Sequence, residues 1–146
     1  MLRTIIFEGP DRAGKSSTMK IFNQLTYFRY PTIDRYLMSY AVYHHTVRKY
    51  HEHCAITAMG TLKQMSNAIP VLIVYLTARL DVLNERAQHV HHEEIKNDQW
   101  NFFQQLYFQA RTVNIPIIRI DTSVKSAMDV ATDIAVELKE PVYVGS

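Results

Sequence analysis

Cysteine and glycine are scarce in this 146-residue chain, which has one cysteine, Cys54, and four glycines. A single cysteine excludes an intramolecular disulfide and a four-cysteine zinc site, so we expect a reducing compartment, the cytoplasm. Four glycines and five prolines are also too few for a low-complexity or collagen-like chain. A hydrophobic content of 47% with 21% charged residues instead predicts one globular domain over residues 1–146.

Long hydrophobic runs and a strong charge bias are absent as well. No apolar run approaches the roughly 20 residues of a membrane-spanning helix, and residues 1–20 lack the pattern of a signal peptide. We therefore expect no membrane partner. The formal charge of +2 is too small for a dedicated nucleic-acid binder. We therefore expect no nucleic-acid partner.

Strand patterns and helix patterns alternate along the chain. Short β-branched or apolar runs predict buried strands at residues 4–7, 30–36, 71–76 and 116–120. Helical spacing of apolar residues predicts helices over 16–25, 37–50, 53–67, 80–88, 100–111 and 124–138. This alternation is typical of a three-layer α/β fold with a doubly wound parallel sheet of few strands. Ligands bind such sheets outside the carboxyl ends of the strands, where we expect Glu8, Asp34, Thr77 and Asp121.

A glycine-rich loop follows the first predicted strand. Residues 9–16 fit the pattern G-x-x-x-x-G-K-[ST] between a buried strand and an amphipathic helix, which predicts a P-loop that binds a nucleoside triphosphate. Gly9 and Gly14 would let backbone N–H groups turn toward a phosphate, and the following helix would point its positive end at the same anion. Lys15 would contact the β- and γ-phosphates, and the Ser16 hydroxyl would be a Mg²⁺ ligand. ATP and Mg²⁺ are the predicted cofactors.

Two charged residues inside this loop require separate interpretation. The guanidinium of Arg12 would contact the transferring γ-phosphoryl group, although an exposed arginine at a loop tip is the alternative. The negative charge of Asp11 is electrostatically unfavourable beside a bound anion unless its carboxylate contacts an acceptor hydroxyl or a Mg²⁺-bound water. The alternative interpretation is that Asp11 only stabilises the turn, as Asp and Asn residues often do.

Two motifs of the chain resemble thymidylate kinases, and this resemblance implies a P-loop kinase fold. The stretch from Phe7 to Thr18 is similar to the family's phosphate loop, F-E-G-x-D-R-A-G-K-S-T. The stretch from Asp34 to His44 is similar to the family's D-R-Y-x-x-S-x-x-A-Y-Q. The resemblance further implies a lid at about residues 88–98 and a homodimer, for which residues 37–69 could provide the interface.

The resemblance also implies roles for individual residues. Asp34 would help Ser16 to hold Mg²⁺ and Arg35 would contact the acceptor monophosphate, although a solvent-exposed ion pair of the two is the alternative. Arg86 matches the arginine that precedes the lid, and Ser123 lies in the segment that borders the adenine. The predicted catalytic residues are Lys15, Arg12, Asp11, Asp34 and Arg35. The predicted ATP-binding residues are Gly9, Asp11, Arg12, Ala13, Gly14, Lys15, Ser16, Ser17, Arg86 and Ser123. The predicted acceptor-binding residues are Asp11, Arg35, Tyr36, Ser39, Tyr43 and His44.

The chain departs from the family where the acceptor would bind. The segment between Thr18 and Asp34 is far shorter, so the usual second strand and its F-P-x-R phosphate clamp are missing. His44 stands where the family has a base-contacting glutamine, and the lid contains no arginine. An arginine-free lid agrees with the family class that places its catalytic arginine in the phosphate loop, here Arg12.

These observations predict an ATP-dependent nucleoside monophosphate kinase. Its acceptor would be a (deoxy)nucleoside monophosphate, and dTMP is the first candidate. Two alternatives stay open because the clamp segment is missing. One is a kinase for deoxynucleosides or other small hydroxyl compounds, and the other is a nucleotide-binding module without catalysis.

Overall fold

The computed structural model describes residues 2–10, 12–46, 53–88 and 97–140, without the side chains of residues 44–46, 53 and 54. Four strands and six helices alternate within these ranges. They are β1 (Thr4–Glu8), α1 (Lys15–Leu25), β2 (Thr32–Asp34), α2 (Leu37–Thr46), α3 (His53–Ala68), β3 (Val71–Thr77), α4 (Leu80–Gln88), α5 (Asn97–Thr112), β4 (Ile117–Asp121) and α6 (Ala127–Glu137). The α/β alternation predicted from the sequence is confirmed.

The four strands form one parallel sheet in the order β2-β1-β3-β4. In this register Phe7 pairs with Asp34, Glu8 with Tyr75, and Thr77 with Asp121. The carboxyl ends of all four strands therefore meet at one edge of the sheet. This confirms the expected placement of Glu8, Asp34, Thr77 and Asp121 along that edge.

Helices cover both faces of the sheet. On one face, Phe7 of β1 packs with Phe22 of α1 and Ile134 of α6. On the other face, Ile6 and Tyr75 pack with side chains of α2, α3 and α5. Because both faces are covered, every residue of the central strand β3 is buried. The molecule thus has the three layers that the strand–helix alternation predicts.

The second strand is shorter and more exposed than its sequence suggests. It spans Thr32–Asp34 at the edge of the sheet, with Asp34 exposed, so the prediction of a buried strand over 30–36 is wrong. The Tyr30 ring packs against Phe22 with centroids 5.8 Å apart, and its hydroxyl donates to the Glu140 carboxylate. Tyr30 thus belongs to the core beneath the sheet. Arg35 ends the strand because its backbone has a left-handed φ of 63°.

Two helices begin at other residues than the apolar pattern indicates. Helix α5 begins at Asn97, where Asp98 places an acid in the first turn, and not at residue 100. Helix α6 begins at Ala127 and not at residue 124, because Ser126 is its N-cap and forms a reciprocal capping box with Asp129. Predicted helix residues 47–50, and residues 89–96 of the predicted lid, lie outside the described ranges. Within those ranges, no helix has the length and apolar character needed to span a membrane.

Candidate active site

The loop from Gly9 to Lys15 passes close to the neighbouring strand. Gly9 has a φ of 139°, and a Cβ atom built on it would lie 2.0 Å from the backbone oxygen of Leu76 in β3. Gly14 is the N-cap of α1 with a φ of 88°. Both positions thus require glycine, one mainly for space and the other for its backbone conformation. The tight passage brings the loop over the carboxyl ends of β1 and β3.

The Lys15 side chain folds back over this loop. It is 6% exposed, and its ammonium donates hydrogen bonds to the backbone oxygens of Gly9, at 3.0 Å, and Pro10, at 3.2 Å. The first turn of α1 contains no acidic residue, so the positive end of the helix is not neutralised from within that turn. The loop therefore concentrates positive charge at the sheet edge.

The main cleft joins the two motifs that the sequence analysis singled out. It has a volume of about 300 Å³. Its lining residues are Arg12, Gly14, Lys15, Ser16, Ser17, Asp34 and Arg35. Three of them are cationic and one is a carboxylate, which is the balance expected for a polyphosphate with a metal ion. Residues far apart in sequence thus form one cleft in which cationic side chains predominate.

The two arginines of the main cleft share an uncommon backbone conformation. Arg12 has a φ of 68° and Arg35 a φ of 63°, values that L-residues adopt at a cost. The Arg35 N–H donates to the Phe7 backbone oxygen at 2.9 Å, which anchors this turn to β1. Such strain clusters at functional sites, where the surrounding structure enforces it. Both arginines line the main cleft from such backbone positions.

Arg86 connects the phosphate loop to the loop after β4. Its guanidinium donates to the Arg12 backbone oxygen at 2.9 Å and to the Thr122 backbone oxygen at 2.7 Å. The Thr122 hydroxyl in turn donates to the Ala13 backbone oxygen at 3.0 Å. Arg86 thus supports the backbone that carries Arg12. Thr122 belongs to the segment that the resemblance places beside the adenine, but it is not among the predicted ATP-binding residues.

A second cavity, of about 210 Å³, lies between the phosphate loop and α6. It shares Arg12, Gly14 and Ser17 with the main cleft. Its other lining residues are Ala13, Thr18, Arg86, Thr122, Lys125, Ala127 and Val130. The described part of the chain gives the buried Thr18 hydroxyl no hydrogen-bond partner.

A third cavity, of about 100 Å³, adjoins the main cleft on the side of α2 and shares Arg35 with it. Its lining residues are Pro10, Arg35, Ser39, Val42, Tyr43, Gln99 and Phe103. The structure thus brings two predicted acceptor residues, Ser39 and Tyr43, beside Arg35. Gln99 and Phe103 come from α5, and sequence reasoning missed both.

The Glu8 carboxylate is buried and holds the first turn of α2. It is 1% exposed, and it accepts hydrogen bonds from the Met38 N–H at 2.7 Å and the Ser39 hydroxyl at 2.5 Å. Burial raises the pKa of Glu8, and these hydrogen bonds oppose the increase. Because α2 begins two residues after Arg35, Glu8 also fixes the turn that carries this arginine.

Other predicted site residues are not brought to these cavities. Tyr36 is 38% exposed and is absent from the described linings. The Ser123 hydroxyl accepts a hydrogen bond from the Arg79 N–H at 2.9 Å, away from the second cavity. Asp11, the His44 side chain and residues 89–96 lie outside the described part. Their roles stay predictions.

Comparisons with known proteins bear on the fold. No protein-family profile matches the chain. No curated protein matches it either. Among solved structures, 26 chains match. One is YorR of Bacillus subtilis, crystallised in complex with phosphorylated GDP, with a TM-score of 0.64 and 22% identity over 93% of this chain and 95% of that one. This similarity confirms the P-loop kinase-like fold.

Proposed function

We propose that the protein is a Mg²⁺-dependent kinase that transfers the γ-phosphoryl group of ATP to a nucleoside monophosphate, with dTMP as the first expected acceptor. The main cleft carries this proposal because it joins a phosphate loop to the Asp34–Arg35 pair. The crystal structure of YorR holds phosphorylated GDP, which supports a nucleotide as ligand of this fold.

The donor nucleotide would bind along the phosphate loop. Its β- and γ-phosphates would lie against the loop N–H groups and the first turn of α1, whose dipole favours anions. Phosphate oxygens would compete with the Gly9 and Pro10 carbonyl oxygens for the Lys15 ammonium, and a charged acceptor makes the stronger hydrogen bond. The second cavity, between the loop and α6, would take the nucleoside part of ATP.

Ser16 and Asp34 fit a magnesium ion. Both line the main cleft, and hydroxyl and carboxylate oxygens are ligands that Mg²⁺ accepts. No group of three or more His, Cys, Asp or Glu side chains suited to a metal occurs in the described ranges. A Mg²⁺ ion at these two residues would thus depend on phosphate and water oxygens, as is usual for kinases. When bound, Mg²⁺ supplies positive charge against the transferring phosphoryl group.

The acceptor would enter from the third cavity. Arg35 lies at the boundary of that cavity and the main cleft, where its guanidinium would clamp the acceptor phosphate. An oxygen of this phosphate would form a bond to the γ-phosphorus of ATP while the bond to the β-phosphate oxygen breaks, and ADP would leave. Arg12 would stabilise charge on the transferring group from the opposite side of the cleft.

The test is release of ADP from ATP and Mg²⁺ with nucleoside monophosphates and the matching nucleosides as acceptors. We expect turnover of a monophosphate that Lys15→Ala abolishes and Arg35→Ala lowers by about 10- to 100-fold in kcat/KM, the cost of lost charge-assisted hydrogen bonds. Arg111→Ala is the matched control, because this exposed arginine lies on α5 away from the main cleft.

Two other results would replace the proposal. Faster turnover of nucleosides than of monophosphates would identify a nucleoside kinase, consistent with the missing clamp segment. ATP binding without turnover of any acceptor would identify a nucleotide-binding module.

A further inference from the structure

The third cavity contains a side chain that the proposed reaction does not yet use. Gln99 lies in the first turn of α5, one helical turn before Phe103, so both residues share a face of the helix. The neighbouring Trp100 fixes this turn because its indole N–H donates to the Ala78 backbone oxygen at 2.9 Å. Gln99 is therefore part of a rigid cavity wall.

Two other polar residues that line this cavity already have contacts elsewhere. The Ser39 hydroxyl donates to the Glu8 carboxylate, and Arg35 faces the main cleft as well. Within residues 2–10, 12–46, 53–88 and 97–140, the Gln99 side-chain amide has no hydrogen-bond partner. A primary amide offers a donor and an acceptor side by side. Gln99 thus provides a paired hydrogen-bonding edge at the cavity.

An aromatic wall lies next to this amide. The Phe103 ring stacks on the buried Tyr75 ring, with centroids 5.9 Å apart and an angle of 17° between the planes. An aromatic face and an adjacent hydrogen-bonding edge are the two elements by which proteins bind an unstacked nucleobase. Arg35, which lines both this cavity and the main cleft, would hold the phosphate of the same nucleotide.

We propose that Gln99 reads the hydrogen-bonding edge of the acceptor's base and so determines which nucleoside monophosphate is accepted. This inference rests on the proposed function, because it assigns the third cavity to the acceptor. The Gln99 amide would pair with neighbouring polar atoms of the base, as glutamine pairs with base edges elsewhere. Discrimination between bases would then depend on this one side chain.

The experiment compares binding and turnover of dTMP, dGMP, dCMP, dAMP and the base-free 2-deoxyribose 5-phosphate. Dissociation constants come from calorimetric titration in the presence of ADP, and ADP release with ATP is measured in parallel. The variants are Gln99→Met, which keeps the length of the side chain, and Gln99→Glu, which replaces the amide donor by an acceptor. Gln109→Met is the matched control, since Gln109 is exposed on the same helix.

We expect Gln99→Met to weaken binding of the preferred nucleotide about tenfold or more, the usual value of a paired base contact. Binding of 2-deoxyribose 5-phosphate should stay unchanged, which a general structural defect would not allow. Gln99→Glu should shift the preference toward bases with an amino group, dCMP, dAMP and dGMP, by at least about tenfold relative to dTMP.

Failure of this inference is distinguishable from failure of the proposed function. Equal loss for nucleotides and for the base-free compound, or no loss at all, would overturn the role of Gln99 and leave the kinase proposal standing. Base-dependent binding that Gln99→Met abolishes, without turnover of any acceptor, would support Gln99 and refute the kinase. A wild-type protein that binds none of the five compounds would refute both.

Discussion

Replacing glycines one at a time gives a graded test of the phosphate loop. In Gly9→Ala the new methyl group would lie 2.0 Å from the Leu76 oxygen and 3.1 Å from the Leu76 carbonyl carbon. Both atoms belong to the backbone of β3, which pairs with a strand on either side and cannot rotate away. The φ of 139° adds strain of its own. Either the loop or the sheet edge must shift.

The expected cost follows from these two contributions. Overpacking costs about 1–3 kcal/mol, and a backbone conformation suited only to glycine costs about 1–3 kcal/mol more. We therefore expect Gly9→Ala to lower the free energy of unfolding by about 4 kcal/mol, and Tm by on the order of 10 °C. Nucleotide binding should fall with it, because the same backbone forms the anion site.

Two further glycines serve as controls in the same assay. Gly14→Ala meets only the Thr18 hydroxyl, at an ordinary 3.8 Å, so its left-handed φ alone should cost about 1 kcal/mol. Gly60 lies inside α3, and no neighbouring atom lies within 4 Å of the position that a methyl group would take there. Alanine at this position should therefore stabilise the protein by about 0.5–1 kcal/mol. Urea unfolding followed by circular dichroism gives all three values. A Gly9→Ala protein as stable as Gly14→Ala would refute the clash with β3.

Two buried polar groups give further predictions. Burial raises the pKa of Glu8 above 4.5, so the folded protein binds the proton of the Glu8 carboxyl group more tightly than the unfolded chain does. The free energy of unfolding should therefore fall as pH rises from 4.5 through the raised pKa. Glu8→Gln should flatten this decline in urea midpoints measured over the pH range, and an unchanged slope would contradict the assignment. The Tyr75 hydroxyl is buried and forms no hydrogen bond of normal geometry among the described residues. Burial raises its pKa to about 12, and the neighbouring Thr77 side chain opposes this increase. Tyr75→Phe should therefore raise the free energy of unfolding by about 1 kcal/mol in the same denaturation, whereas a loss of that size would reveal a partner for the hydroxyl.

Local sequence was sufficient to predict the phosphate loop and the order of elements. The glycines, Lys15 and Ser16 lie within eight residues, and a buried strand and an amphipathic helix flank them. Asp34 and Arg35 could be placed beside them because the carboxyl ends of parallel strands meet at one edge. The main cleft was in this sense predictable from the pattern of the chain and its resemblance to a family.

Contacts over long distances in the chain were not predictable. Glu8 ends a strand like many polar residues, and only the fold shows that its partner is the α2 turn at Ser39. Gln99 precedes Trp100, the first apolar residue of its helix pattern, so the pattern does not place it in the helix. Tyr30 has the composition of a strand residue, yet its ring completes the core beneath the sheet.

The central position of β1 has a consequence for the order in which the molecule folds. The strands on either side of it, β2 and β3, both lie later in the chain, and β3 begins only at Val71. Closing such long loops must precede the pairing that gives the phosphate loop its shape, and contacts of this kind make folding slow. We therefore expect the loop to form late, after the sheet is assembled. A nucleotide bound there would slow unfolding and would leave the rate of folding almost unchanged.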